Sequence, residues 1–118
     1  MGSPRPVLST IVFDCANPER LARFWGELLG VAYSDATWVA LERPPEGGRL
    51  AFQPVPESKA VKNRVHVDLL VDDLAAPTAA AVAIGATVVG AVVAEANGSY
   101  QVLHDPEGNE FCLVTAED

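Results

Sequence analysis

The chain has 118 residues and a formal charge of −8, from 16 acidic against 8 basic side chains, and 49% of its residues are hydrophobic. That length suits one domain burying about two thirds of its surface, and the composition excludes a disordered chain, a collagen-like repeat and a coiled coil. So acidic a surface repels a phosphate backbone, no segment reads as a spanning helix, and Met1-Gly2-Ser3-Pro4-Arg5-Pro6 lacks a secretion signal's apolar stretch, so a cytoplasmic protein without nucleic-acid or membrane partners is expected.

Val7 to Phe13 is apolar and β-branched, which predicts a strand. A helix is predicted over 18–29: Asn17 caps it, Pro18 fits the position that needs no N–H, and Glu19 suits the positive end of the dipole. Leu21, Phe24, Trp25, Leu28 and Leu29 form its apolar stripe, and Gly30 supplies the left-handed residue that ends it. Three strands follow, over 31–34, 37–43 and 49–55, the last two separated by Pro44-Pro45-Glu46-Gly47-Gly48.

Residues 57–63 read as a polar linker, and the nearby Lys59, Lys62 and Arg64 as solvated charges of that linker rather than an anion site. A strand over 64–71, a turn at Asp72-Asp73 and a helix starting at Pro77 and closing at Gly85 come next. Strands over 87–95 and 99–104 flank Asn97-Gly98, the signal of a type I′ hairpin with positive φ at both central residues. Asp105-Pro106-Glu107-Gly108-Asn109 is a turn, and 110–115 is the last strand. The pattern β-α-β-β-β therefore occurs twice, over about 7–56 and about 64–115, which predicts an α+β chain built by duplication.

In each half the helix must cover one face of a sheet, and strand alternation then sorts the side chains. Val65, Val67, Leu69 and Val71 go to the helix, leaving Arg64, His66, Asp68 and Leu70 on the other face. Phe111 and Leu113 face the helix while Glu110, Cys112 and Val114 face away; Leu50 and Phe52 are inward, whereas Arg49, Ala51, Gln53 and Val55 are not. His66 is the candidate acid–base, with Asp68 to set its tautomer. Arg64 could hold a ligand carboxylate or phosphate in a forked pair, Trp38 could stack on a flat ligand, and Gln53, Glu110 and Cys112 complete the candidate ligand-binding set. Trp25 reads as core, and Cys15 and Cys112, with no CxxC spacing, as free thiols.

The stretches Asp14-Cys15-Ala16-Asn17-Pro18-Glu19-Arg20-Leu21-Ala22-Arg23-Phe24-Trp25 with Leu28-Leu29-Gly30, Arg64-Val65-His66-Val67-Asp68-Leu69 and Asp105-Pro106-Glu107-Gly108-Asn109-Glu110-Phe111 resemble the glyoxalase/bleomycin resistance/dioxygenase (vicinal oxygen chelate) superfamily. The resemblance implies paired βαβββ modules, curved mostly antiparallel sheets enclosing a cleft, and a homodimer. It implies as well a divalent-metal site of His, Gln and Glu ligands on the first and last strands of each module. Those positions fall on Thr10 or Ser9, Ala51 or Gln53, His66 and Cys112, so only His66 keeps the usual chemistry, and a stable site needs at least three well-placed donors.

The expectation is therefore a small-molecule-binding protein with no metal cofactor. An alternative is a lyase or isomerase acting on a small carbonyl or hydroxy compound with His66 as general base. The third reading is a metal-dependent member whose site is rebuilt from His66, Cys112 as thiolate, and Asp68 or Gln53.

Overall fold

The computed structural model describes residues 8, 10–34, 39–42 and 48–115. Trp38 lies outside the described residues, as do Ser9 and most of the Pro-Gly loop after Arg43. The chain divides into two compact units, Met1–Val55 and Pro56–Asp118.

In the first unit β1 (Thr10–Cys15), α1 (Pro18–Leu29), β2 (Tyr33–Ser34), β3 (Val39–Leu41) and β4 (Arg49–Pro54) form a four-stranded sheet of order β1-β4-β3-β2 beside one helix. The second unit repeats this with β5 (Val67–Leu70), α2 (Ala75–Ala83), β6 (Thr87–Glu95), β7 (Gly98–His104) and β8 (Glu110–Val114), in the order β5-β8-β7-β6. In both units the first and last strands pair in parallel and the others antiparallel. The fold is α+β, with the same βαβββ topology twice.

Helix α1 spans the predicted residues. Asn17 Oδ1 accepts the Arg20 N–H at 3.1 Å, Pro18 opens the helix, and Gly30 closes it at φ 70°. Leu21, Phe24 and Trp25 are buried, and Phe13 meets Trp25 and Phe52 edge-on at ring-centroid distances of 5.6 and 5.5 Å. Leu29, expected in the stripe, is exposed; the buried face ends at Gly26, where a Cβ would come within 2.9 Å of the Val31 carbonyl, so the returning chain occupies the space beyond.

Several expectations shift. Strand β5 begins at Val67, not Arg64, and Val65 is 72% exposed instead of facing the helix. Parallel pairing runs out there because Val67 is already opposite Phe111, next to the first residue of β8. Helix α2 starts two residues before Pro77: proline needs no partner for an N–H it lacks anywhere in the first turn, and Asp73 Oδ1 accepts the Ala76 N–H at 3.3 Å. In the hairpin, Glu95 pairs with Gly98, so the turn residues are Ala96 and Asn97. Only Gly98 has positive φ (146°), which excludes a type I′ turn. The Ser99 N–H donates to Thr115 Oγ1 (2.9 Å) and the Thr115 N–H to the Ser99 carbonyl (3.0 Å), pinning the start of β7 to the end of β8 and drawing Gly98 into the strand.

The two helices contribute unequally. Helix α1 buries large side chains, whereas α2 buries only Ala81, and the second core is Leu103, Phe111 and Leu113 with Ala81 and Ala86. Edge strand β6 is exposed along its length. It also bulges: Val89 is opposite Val102 and Val93 opposite Tyr100, so residues 90–92 stand across from Gln101 alone, with Gly90 at φ 71°. Gln101 fills the bulge, its Nε2 donating to the carbonyls of Val89, Gly90 and Val102 at 3.3, 3.2 and 3.0 Å. Among the described residues no helix is long and apolar enough to cross a membrane.

Trp25 is fully buried at the centre of the first core, so Trp25→Ala is expected to cost about 3–5 kcal/mol in urea unfolding monitored by circular dichroism, the usual penalty for emptying a large aromatic site.

Candidate functional site

The candidate site is built by the parallel pair β5/β8. Phe111 and Leu113 are buried, which turns Cys112 to the opposite face of the sheet, and the register sets Asp68 opposite Cys112. His66 lies at the foot of β5, and its Nε2 is 3.3 Å from Asp68 Oδ1. Both side chains are about half exposed, at 52% and 57%. One ligating atom from each of His66, Asp68 and Cys112 falls in a group whose members lie within 4.8 Å of one another.

The cluster is a short proton-carrying chain. Burial pushes the half-buried Cys112 thiol up from its ordinary value, the Asp68 charge and the thiol's hydrogen bond to Asp68 push it further, and Lys62 opposes them weakly. The thiol therefore keeps its proton at neutral pH. Asp68 Oδ1 faces His66 Nε2, so an imidazole that carries its proton on Nε2 would present the Nδ1 lone pair to a ligand. Asp68 also borders a pocket of about 160 Å³ lined by Tyr100, Val114, Ser99, Asn97 and Glu95.

Glu110 is not part of this group. Its carboxylate pairs with Lys59 Nζ at 2.9 Å and accepts the Asn63 N–H at 3.1 and 3.3 Å, and its side chain is only 12% exposed. Burial alone would raise its pKa, but the bonds from Lys59 and Asn63 outweigh that and hold it below 4.5. Glu110 thus fastens the polar segment 57–63 to β8, so Lys59 is not a purely solvated charge.

Arg64 is exposed in the bend before β5, where strand alternation does not assign it a face. Gln53 is exposed on β4 and its Nε2 donates to Asp14 Oδ1 at 2.7 Å, across the β1/β4 pair. Trp38, outside the described residues, has no placement.

The family's metal set was tested on the donors themselves. Ala51 offers no donor and is fully buried, Thr10 has only a hydroxyl, and Cys112 replaces a carboxylate with a thiol that holds its proton. The usual site does not fit these residues.

Sequence reasoning missed Lys59 and Asn63, whose bonds to Glu110 span about half the chain, and Tyr100, which register alone brings beside Asp68. It also missed what orders the 105–109 turn. The buried Asp105 accepts the N–H groups of Glu107 and Asn109 at 2.9 Å and the Asn109 side-chain amide at 2.9 and 3.1 Å. The leading Asp of that turn was a legible signal for such bonding.

Comparison with known proteins places this geometry. A family model described as a glyoxalase-like domain matches residues 10–114. The chain belongs to the glyoxalase-like domain family. Its fold is similar to that of a glyoxalase/bleomycin resistance protein/dioxygenase family enzyme from Burkholderia phytofirmans PsJN, with 18% identity and a TM-score of 0.77 over 93% of this chain and 98% of that one. A glyoxalase-related enzyme from Fulvimarina pelagi is also similar (18% identity, TM-score 0.74, 93% and 88% covered), as is a protein from Agrobacterium tumefaciens (16%, 0.78, 97% and 100%). No curated protein matches the sequence. At these identities the structural likenesses establish the fold.

Glu110→Gln is expected to cost about 1–3 kcal/mol in urea unfolding near neutral pH, the usual loss when buried partners are left unpaired. A folded-state pKa held down gives stability that is complete above the unfolded value of 4.5 and lost as pH falls through the lowered one, so the gap to wild type should narrow as the pH falls below 4.5. Asp68→Asn removes the negative charge that helps keep the Cys112 proton in place, leaving only a neutral amide oxygen as acceptor, so the thiol pKa falls. Iodoacetamide alkylation of the native protein near pH 8 should accelerate roughly three- to tenfold, Cys15 being buried and unreactive.

Proposed function

We propose that this glyoxalase-like protein binds a small organic molecule on the helix-free face of its second sheet, at His66, Asp68 and Cys112, without a resident divalent metal. The observation that carries the reading is the bonding of Asp68, which faces the imidazole on one side and the thiol proton on the other, beside a pocket. A cluster satisfied by its own protons needs no cation to balance it. It leaves one free basic atom, His66 Nδ1, aimed at no described partner, and this atom would receive a hydroxyl or an acidic C–H of a carbonyl or hydroxy compound. Binding is the primary role proposed; lyase or isomerase chemistry with His66 as general base needs only that the bound molecule present such a proton to Nδ1. The proposed assembly is a homodimer, a reading that rests on the family resemblance, and the proposed location is the cytoplasm.

A second reading keeps a rebuilt metal centre, because His66, Asp68 and Cys112 offer three donors in one group. Zinc there would have to displace the thiol proton and break the His66–Asp68 pair.

Calorimetric titration with zinc and nickel near pH 7 separates the two. The proposal expects no stoichiometric uptake; tight binding of either ion that disappears in His66→Ala would replace it with the metal reading. In a nuclear magnetic resonance screen of small carbonyl and hydroxy compounds, hits should perturb the amides of Asp68, Tyr100 and Cys112 and weaken in His66→Gln. A screen with no perturbation on that face would reject the site.

A further inference from the structure

A second pocket lies on the opposite face of the same sheet, and its origin is visible in the sequence of α2. Where α1 buries Leu21, Phe24 and Trp25, α2 reads Ala-Ala-Pro-Thr-Ala-Ala-Ala-Val-Ala and buries one alanine. The small side chains of α2 leave an open space of about 560 Å³ beside β6 and β7, its lining including Leu74, Thr78, Ala79, Val92, Gln101 and Thr115, a volume in the range of small-molecule sites. No residue from Leu74 to Ala94 carries a charge, in a protein of net charge −8.

The polar group that marks this space is Gln101, which is 4% exposed. Its Nε2 faces two carbonyls of the β6 bulge and that of Val102 on β7, which fixes the amide orientation, since a carbonyl oxygen turned toward those acceptors would be repelled. The oxygen Oε1 is the atom left for the pocket, and it accepts no hydrogen bond from the described residues. Oε1 is not fully enclosed, so it stays open to a hydroxyl that enters the pocket. Thr115 cannot serve, because its hydroxyl already donates to the Ser99 carbonyl and accepts the Ser99 N–H.

We propose that the pocket between α2 and β6 binds a small, uncharged, largely apolar molecule that donates one hydrogen bond to Gln101 Oε1, of the class of phenols and cyclic alcohols. No lining residue carries a charge, so the pocket offers no ion pair to a carboxylate or an ammonium. This site is independent of the His66 face: Gln101 is paired with the helix-facing Leu113, while Asp68 is paired with Cys112 on the other side of the sheet.

The test is a titration of the full-length ¹⁵N-labelled protein with three probes of the same ring: phenol, anisole, which lacks the donor, and benzoate, which is charged. Phenol should shift the amides of Thr78, Val92 and Gln101 at saturation, with anisole weaker by about fivefold or more, as for the loss of one hydrogen bond, and benzoate silent at those amides. Ala79→Leu fills the rim of the pocket from an exposed helix position and should abolish the phenol shifts at these three amides. Equal binding of phenol and anisole, unchanged binding in Ala79→Leu, or shifts confined to the His66 face would each overturn the proposal. So would sedimentation showing a dimer in which the α2 and β6 amides are protected from exchange without any probe, since a second copy would then occupy the space.

Discussion

The register of one parallel strand pair governs the second half of this molecule. Val67 lies opposite Phe111 and Asp68 opposite Cys112, and because side chains alternate with a period of two, a slip of one residue would exchange the faces of both strands. That slip is opposed by the burial of Phe111 and Leu113, each large enough to contribute roughly 1.5–3 kcal/mol when removed from water. The polar cluster is thus a consequence of apolar packing: with those two side chains buried, Cys112 points to the opposite face, and Asp68 is its neighbour.

Two carboxylates near this pair illustrate how environment separates roles. Asp68 is half exposed and lies beside both a thiol and an imidazole, so it organises groups that can meet a ligand. Glu110, at the start of β8, is nearly covered and saturated by Lys59 and Asn63. Its charge ties the segment before β5 to β8, and that attachment delivers His66 to the foot of the strand. Glu110 is a structural residue on which the position of a functional one depends.

The duplicated modules have the same topology and different interiors. The first is filled by Phe13, Phe24, Trp25 and Phe52; the second has an alanine-rich helix, an exposed edge strand and a bulge closed by a glutamine amide. Duplication preserves strand order because pairing depends mainly on backbone, while the volume between helix and sheet depends on side chains and can diverge. That divergence leaves two chemically distinct hollows on the two faces of one sheet, one bordered by the carboxylates of Asp68 and Glu95, the other lined by uncharged residues.

The sequence by itself determined the repeated βαβββ pattern, the full extent of α1 and the side on which His66, Asp68 and Cys112 fall, because capping residues and period-two alternation act over a few residues. It misplaced the start of β5 and the 96–97 turn, which depend on partners farther along the chain, Phe111 for the strand and Thr115 for the hairpin, and the first turn of α2, where Asp73 accepts the Ala76 N–H ahead of Pro77. Only the tertiary structure decided that Glu110 is consumed by Lys59 and Asn63, and that the Cys112 thiol keeps its proton. It also decided that Gln101 closes a bulge. These outcomes follow from burial and from charges brought together across tens of residues, and no local pattern encodes them.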